Sequence, residues 1–458
     1  MKKLLFIILI PVLILSIALI SCSKKLDVLP QNSVTPDQIK ASSDVQALLN
    51  GAYAQLQSYS AFGEQFMLVS DLLASKNQVD WVGTYYEYKD VHNKTIVSTN
   101  SIAASIWENA YSTINIANTV LDKLSVVDSA DKASVEGEAR FIRGTLYFEL
   151  LGFYSKPFSD GKAATNLGVP LVLVPTYDYD STKNKPARAF VMDVYTQVIT
   201  DLKAAIAILP ASNSNYRADV YSAKAILSRV YMNMQDYGNA AIQANDVIVS
   251  GNFNLNSSFD KAFNNNSNSA EDIFAIQQTS QSNSGTSNQG IVTFYAPQAL
   301  GRGDAQVNSG YAGIFGANDT RGTFITAGVS IAGFNGNYTN KWSQFYKAIP
   351  VVRLAEMYLT RGEANLRAGG APTGGVSPLD DINTVRERAG ATDLLVVTGA
   401  DFADERFREL GFEGDRLWTL KRLKQDVDGL DYDNNKLILP VPQSEIDVNK
   451  KLTQNEGY

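Results

Sequence analysis

The chain has 458 residues, 45% apolar and 19% charged, with a formal charge of −7, a balance that excludes a disordered, collagen-like or polytopic membrane chain. With 40 Lys+Arg against 47 Asp+Glu and no long basic run, there is no electrostatic footprint for a phosphate backbone, and no nucleic-acid partner is expected. One cysteine and one histidine exclude an internal disulfide and Cys- or His-rich metal centres, so neither cofactor nor metal is expected.

Lys2 and Lys3 precede an apolar run from Leu4 to Ile20 that ends in Leu19-Ile20-Ser21-Cys22. This reads as a charged n-region, an h-region and a small residue before a cut, with residues 1–21 as a lipoprotein signal peptide. The sole cysteine stands where a bacterial lipobox requires one, so Cys22 is expected to carry lipid. A single spanning anchor is the competing reading. Cleavage removes two positive charges and takes −7 to −9, so the acyl chains, not basic residues, must hold the protein on a membrane. Residues 22–35 form the lipidated tether, and 36–458 form one domain.

The first helical signal is Thr35-Pro36-Asp37, with Pro at the first helical position behind a Thr cap. Further helices are expected from about Ile106 to Leu124 and from Val135 to Tyr154, where Ile142, Leu146, Leu150 and Phe153 make one apolar stripe. Phe190 to Leu209 follows, closed by Pro210. Val220 to Met234 and Ala240 to Val249 form a helical hairpin across the short Gln235-Asp236-Tyr237 link, and Ala240, Ala241 and Ala244 let its helices approach closely. It is similar to a tetratricopeptide unit of about 34 residues. A second unit is expected from Val351, stopped by Gly369-Gly370, with Leu379 to Ala389 as partner helix.

Three stretches read as non-helical: Phe158 to Tyr179, Asn252 to Gln289 with one short strand at Asp272 to Gln277, and the glycine- and aromatic-rich Gly290 to Asn340. The fold class expected is mainly α, with tetratricopeptide-like pairs in a right-handed superhelix, a few short strands and inserted ligand-binding loops at about 60–100 and 252–346.

Ordered motifs then carry a resemblance. They are Leu359-Thr360-Arg361-Gly362-Glu363-Ala364-Asn365, Asp381 to Gly390, Glu405-Arg406-Phe407-Arg408-Glu409-Leu410-Gly411-Phe412-Glu413-Gly414-Asp415-Arg416-Leu417-Trp418, Leu439-Pro440-Val441-Pro442 and the tail Leu452 to Tyr458. Earlier, Glu138 to Gly144 and Tyr147-Phe148 belong to the same set. Together with the lipobox they resemble the SusD/RagB family of outer-membrane nutrient-binding lipoproteins. The resemblance implies a surface-exposed, lipid-anchored lid on a SusC-type TonB-dependent transporter in the cell outer membrane, which captures an oligosaccharide or peptide without cleaving it. Two other classes compete: a surface glycoside hydrolase with two carboxylates, and a helical-repeat scaffold lipoprotein.

Between Glu405 and Arg416, acids and arginines alternate with Phe407, Leu410 and Phe412. A catalytic pair is one reading; a salt-bridge network holding the C-terminal segment to the scaffold is favoured, because flanking arginines keep carboxyl pKa values low. His92, in a polar stretch with no nucleophile elbow nearby, reads as a surface histidine. Trp81, Tyr85, Tyr86 and Tyr88 form the densest aromatic patch, with Asn77, Asp80 and Glu87 as hydrogen-bonding neighbours; they contact ligand or fill a gap between helices. A second patch holds Tyr295, Arg302, Asp304, Tyr311, Arg321, Tyr338 and Trp342, again either a ligand face or the small core of a long insertion. Asn77, Trp81, Tyr85, Tyr86, Tyr311, Arg321 and Trp342 are the candidate ligand-binding residues.

Overall fold

The structure, a computed structural model, describes residues 36–74, 77–177 and 185–458. The leader, Cys22 and the tether lie outside the described residues. The chain divides at Lys40, and the described part of its first unit is a single 3-10 turn, Pro36–Gln38. All that follows belongs to the second unit, Ala41–Tyr458. The Pro36 signal therefore opens a turn and not a long helix. Helix α1 is Ser42–Gln57, and its start is fixed by the Asp44 carboxylate, which accepts from the Ala41 N–H at 2.9 Å.

The chain continues through α2 (Gln65–Ala74), β1 (Val79–Trp81), α3 (Tyr86–Asn93), α4 (Ser101–Asp122), α5 (Lys132–Tyr154), α6 (Val191–Ile208), α7 (Val220–Asn233) and α8 (Tyr237–Ile248). From α4 to α8 each helix packs on the next, across the long link from Tyr154 to Val191 as well as across the short turn between α7 and α8. Helix α5 departs from its expected single stripe: Phe141, Ile142, Leu146, Tyr147, Phe148, Leu150 and Tyr154 are all buried, so apolar surface surrounds it. A helix apolar on every side is a central one. Two of its charged residues are paired inside the protein, Arg143 with Asp201 of α6 at 2.7 Å and Glu138 with Arg217 at 3.1 Å.

After the insertion come β6 (Ile349–Arg353) and α11 (Leu354–Ala368), then α12 (Pro378–Arg388), α13 (Gly399–Leu410), α14 (Asp415–Arg422) and a short α15 (Gln443–Val448). Helix α11 packs on both α8 and α12, so the two expected helical pairs stack. The fit is tight enough to need a glycine: a Cβ on Gly362 would lie 2.7 Å from Phe402 Cζ and 2.9 Å from Asp381 Cβ. Alanine at Gly362 is expected to lower the urea midpoint, whereas alanine at Gly51, where a Cβ meets nothing within 4 Å, is expected to leave it unchanged or raise it. The mainly helical, tetratricopeptide-like architecture read from the sequence is the one observed.

Strands serve the insertion. Strand β2 (Asp272–Ile276) pairs antiparallel with β6, and both are wholly buried. Between them lie α9 (Ile291–Tyr295), β3 (Ala305–Val307), α10 (Ser309–Ala312), β4 (Ile325–Val329) and β5 (Asn335–Thr339). Strands β3, β4 and β5 join β1 in one antiparallel sheet of order β1-β3-β5-β4, with Trp81 opposite Ala305 and Val79 opposite Val307. The stretch 60–100 is thus largely regular: α2, β1 and α3 occupy it. It carried no helical period because α2 is only 10 residues long and wholly buried.

A buried ionic network ties the insertion to the C-terminal helices. Arg353, at the end of β6, donates to Glu271 at 3.0 Å, Glu409 at 3.1 Å and Glu413 at 2.8 Å. Arg321 reaches Asp319 at 2.8 Å, Glu405 at 2.6 Å and Glu409 at 3.2 Å, and Arg388 also pairs with Glu409. Burial alone would raise the Glu409 pKa, but Arg388, Arg353, Arg321 and Lys341 outweigh it and hold the carboxyl at about 2. The Glu405 to Arg416 stretch is thus a structural network, and neighbouring cations hold Glu409, Glu413 and Asp415 in the ionised state, opposite to that of a general acid.

Candidate functional site

The structure divides the seven candidate residues. Tyr311, Arg321 and Trp342 lie inside the protein, each no more than 3% exposed. The Tyr311 hydroxyl donates to the Arg408 carbonyl at 3.1 Å, and Trp342 Nε1 donates to the Phe412 carbonyl at 2.9 Å. With Arg321 in the ionic network, all three fasten the insertion to the segment around Phe412. The insertion has built its own core from the residues that, in sequence, also read as a ligand face.

The other four gather around β1. Trp81 is 8% exposed, its ring 4.9 Å from Tyr88 and 5.7 Å from Phe294. Tyr85, half-buried at the start of α3, meets Phe294 edge-on at 6.0 Å, while Tyr86 is 67% exposed and Asn77 is also at the surface. Because α3 begins at Tyr86, successive tyrosines point to different sides of the helix: Tyr88 goes inward and Tyr86 outward. His92, expected at the surface, lies instead on the buried side of α3, with Nε2 3.0 Å from the Val79 carbonyl. The periodicity of α3, unrecognised in the sequence, carries it there.

Across the sheet, Arg302 completes the arrangement. Its guanidinium lies 4.8 Å from the Tyr85 ring centroid, and its Nε donates to Asp304 Oδ2 at 2.7 Å. Burial raises the Asp304 pKa, and Arg302 partly offsets that. Among the described residues, Asp304 Oδ1 and Trp81 Nε1 are buried without a hydrogen-bond partner, although β1 and β3 run side by side. Beside them, the Asn308 side chain donates to both Asp80 oxygens at 2.9 Å.

The apolar rim of this face was not anticipated. Leu300, Ile331 and Phe334 are exposed at the turn after α9 and at the tip of the β4–β5 hairpin. The Ile331 N–H donates to the Arg302 carbonyl at 2.7 Å, and the Gln298 N–H donates to the Val329 carbonyl at 2.8 Å, so turn and tip are bound together beside Tyr85. The one sequence signal was the glycine at Gly333, whose φ of +86° suits a hairpin tip.

Beneath the face, Glu64 accepts from the Tyr88 hydroxyl and from the Gly290 N–H, the latter at 2.6 Å. Burial pushes its pKa up to about 8, against the lowering effect of Tyr88 and Gly290. The folded protein therefore keeps a proton that the unfolded chain releases near pH 4.5. That contribution to stability is present below the unfolded pKa and is lost as pH rises through about 8. Asp71, pushed to about 7 by burial, acts in the same direction. Glu64→Gln, which imitates the protonated form, is expected to flatten the fall in melting temperature between about pH 5 and pH 8.5. An unchanged slope would show that the proton is not held there.

A family model described as starch-binding and associating with the outer membrane, SusD-like, matches residues 24–232, and the SusD family model, SusD/RagB, matches residues 282–437. The chain belongs to the SusD/RagB family. A SusD-like protein P2 of Formosa agariphila is 26% identical, over 97% of this chain and 98% of its own. The starch-binding protein SusD of Bacteroides thetaiotaomicron is 38% identical over 126 residues, 24% of this chain and 21% of its own. Among solved structures, a SusD superfamily protein from Bacteroides thetaiotaomicron superposes with a TM-score of 0.81 at 24% identity, covering 91% of this chain and 99% of its own. Surface glycan-binding protein A from Bacteroides fluxus gives 0.76 at 21% identity, over 91% and 100%. These structures establish the shared SusD fold. The family includes starch- and glycan-binding proteins, and it is described as associated with the outer membrane.

Proposed function

We propose that this SusD-family protein is lipid-anchored through Cys22 on the cell outer membrane, binds an oligosaccharide at the Tyr85 face, and delivers it to a SusC-type TonB-dependent transporter. The observation that carries the reading is the union of half-buried Tyr85, the Arg302–Asp304 pair and the exposed Tyr86, Leu300, Ile331 and Phe334. Sugars present flat C–H faces and a fringe of hydroxyls, and a face with aromatic area and fixed donors and acceptors suits both. The rings are held by one another and by Arg302, so little ordering entropy is lost on binding. Trp81 acts from below, as the support that sets the Tyr85 and Phe294 rings.

Such a protein needs no catalytic pair, and SusD-family proteins are binding proteins. The test is retention of the mature protein in native gels containing soluble starch, laminarin, galactomannan, polygalacturonate or alginate. Tyr85→Ala is expected to weaken retention by the bound polymer by about tenfold, roughly 1.4 kcal/mol. If no polymer retards the protein, or if its chains shorten on incubation, the capture reading fails. Cys22→Ala is expected to release the protein from the membrane fraction, and the lipidated form is expected to co-purify with a large outer-membrane barrel.

A further inference from the structure

A second concave site lies away from the Tyr85 face. It is a cavity of about 300 Å³ between α1, the connection that leads into α7, and the chain that leaves β2. Two tyrosines form its aromatic corner: the rings of Tyr53 and Tyr216 meet edge-to-face, 6.3 Å apart and at 90°. Tyr53 is buried, and its hydroxyl accepts from the Ala218 N–H at 2.9 Å, whereas Tyr216 is 43% exposed. The Arg217 guanidinium lies 5.9 Å from one ring and 5.5 Å from the other. Its charge is already spent on Glu138 at 3.1 Å, and it also binds Asn50 Oδ1 at 2.6 Å. The corner is therefore fixed before any ligand arrives.

The opposite wall is made of amides and hydroxyls. Gln57 Nε2 donates to the Gln277 carbonyl at 2.5 Å, and Ser282 Oγ donates to Gln57 Oε1 at 2.8 Å. Thr279 Oγ1 accepts from the Ser282 N–H at 3.0 Å, which leaves its hydroxyl proton to donate. Asn50 uses its oxygen for Arg217, and among the described residues its amide nitrogen has no partner. Among the described residues, no charged side chain lines the cavity. A pocket with two perpendicular rings, spare neutral donors and no charged lining side chain supplies no counter-charge to a phosphate or carboxylate, and it suits an uncharged, hydroxyl-rich ring with one apolar face.

We propose that this cavity is a second saccharide subsite, specific for an uncharged sugar unit, with Tyr216 as its stacking surface. The proposal rests on the capture reading for its ligand class, and it adds a separate point of attachment, which raises avidity for a polymer long enough to reach both sites.

The test uses the full mature chain in gels of the neutral polymers soluble starch, laminarin and galactomannan and of the anionic polygalacturonate and alginate. Tyr216→Ala is expected to weaken retention by the neutral polymer that binds the unaltered protein by about threefold to tenfold, with Tyr216→Phe close to the unaltered protein and retention by anionic polymers unchanged. An unchanged melting temperature confirms that the fold is intact. The subsite alone is overturned if Tyr216→Ala changes nothing while Tyr85→Ala weakens binding. Equal losses on neutral and anionic polymers overturn its selectivity. Failure of the unaltered protein on every polymer overturns the capture reading and this subsite with it.

Discussion

Glu409→Ala is expected to lower the stability of the fold by about 3–5 kcal/mol, because it leaves three buried arginines facing a site that has lost its shared carboxylate. Arg321, Arg353 and Arg388 all pair with Glu409, and the Lys341 ammonium donates to its backbone carbonyl at 2.8 Å. The Glu409 and Arg353 side chains are both fully buried, so water cannot replace the missing charge. Glu409→Gln is expected to be nearly as damaging. Urea unfolding followed by circular dichroism measures both, and a loss below about 1 kcal/mol for Glu409→Ala would mean that the network is screened or redundant. The same carboxyl sets an acid limit. Its folded pKa of about 2 lies below the ordinary 4.5, so its stabilisation is present above pH 4.5 and is lost as pH falls toward 2.

Gly152→Ala is expected to cost about 1–3 kcal/mol, toward the upper end, through overpacking. A Cβ at Gly152 would lie 1.8 Å from Trp418 Cη2 and 2.1 Å from Cζ2. The indole cannot fold away as a flexible chain would, because it is stacked on Phe148 at 4.9 Å with 19° between the planes. Combining Gly152→Ala with Trp418→Leu is expected to return part of the lost stability, since leucine clears the space that the ring occupied. If the single substitution melts with the unaltered protein, α5 and α14 are not in the contact described here.

The scaffold was legible wherever one side of a helix meets solvent. Helices α4, α6, α7 and α8 alternate buried and exposed residues with the helical period, and the sequence shows it. Helix α5, buried on nearly every side, still showed its period over 23 residues, whereas α2, only 10 residues long and wholly buried, did not. The ionic stretch from Glu405 to Arg416 could be recognised by its residue types, but its partners Arg321, Arg353 and Glu271 stand far away in sequence, and only the fold brings them together. The aromatic density around Trp81 marked one part of the candidate site. Arg302 joins it by a long-range contact, and the exposed Ile331 and Phe334 resemble any hairpin tip until their neighbours are known. Tyr311 and Trp342 show the converse: glycine-rich, aromatic sequence suits a binding loop and a self-packed insertion equally.

The ionic clasp at Glu409 also imposes an order on synthesis. Arg321 and Arg353 leave the ribosome well before residues 405–413, so the nascent insertion carries them with only Asp319 and Glu271 to oppose them, before Glu405, Glu409 and Glu413 have been made. The clasp itself closes only when almost the whole polypeptide has emerged. A product cut short before Glu405 would lack the acids that fasten its insertion, along with α14, which packs on α2 and α7.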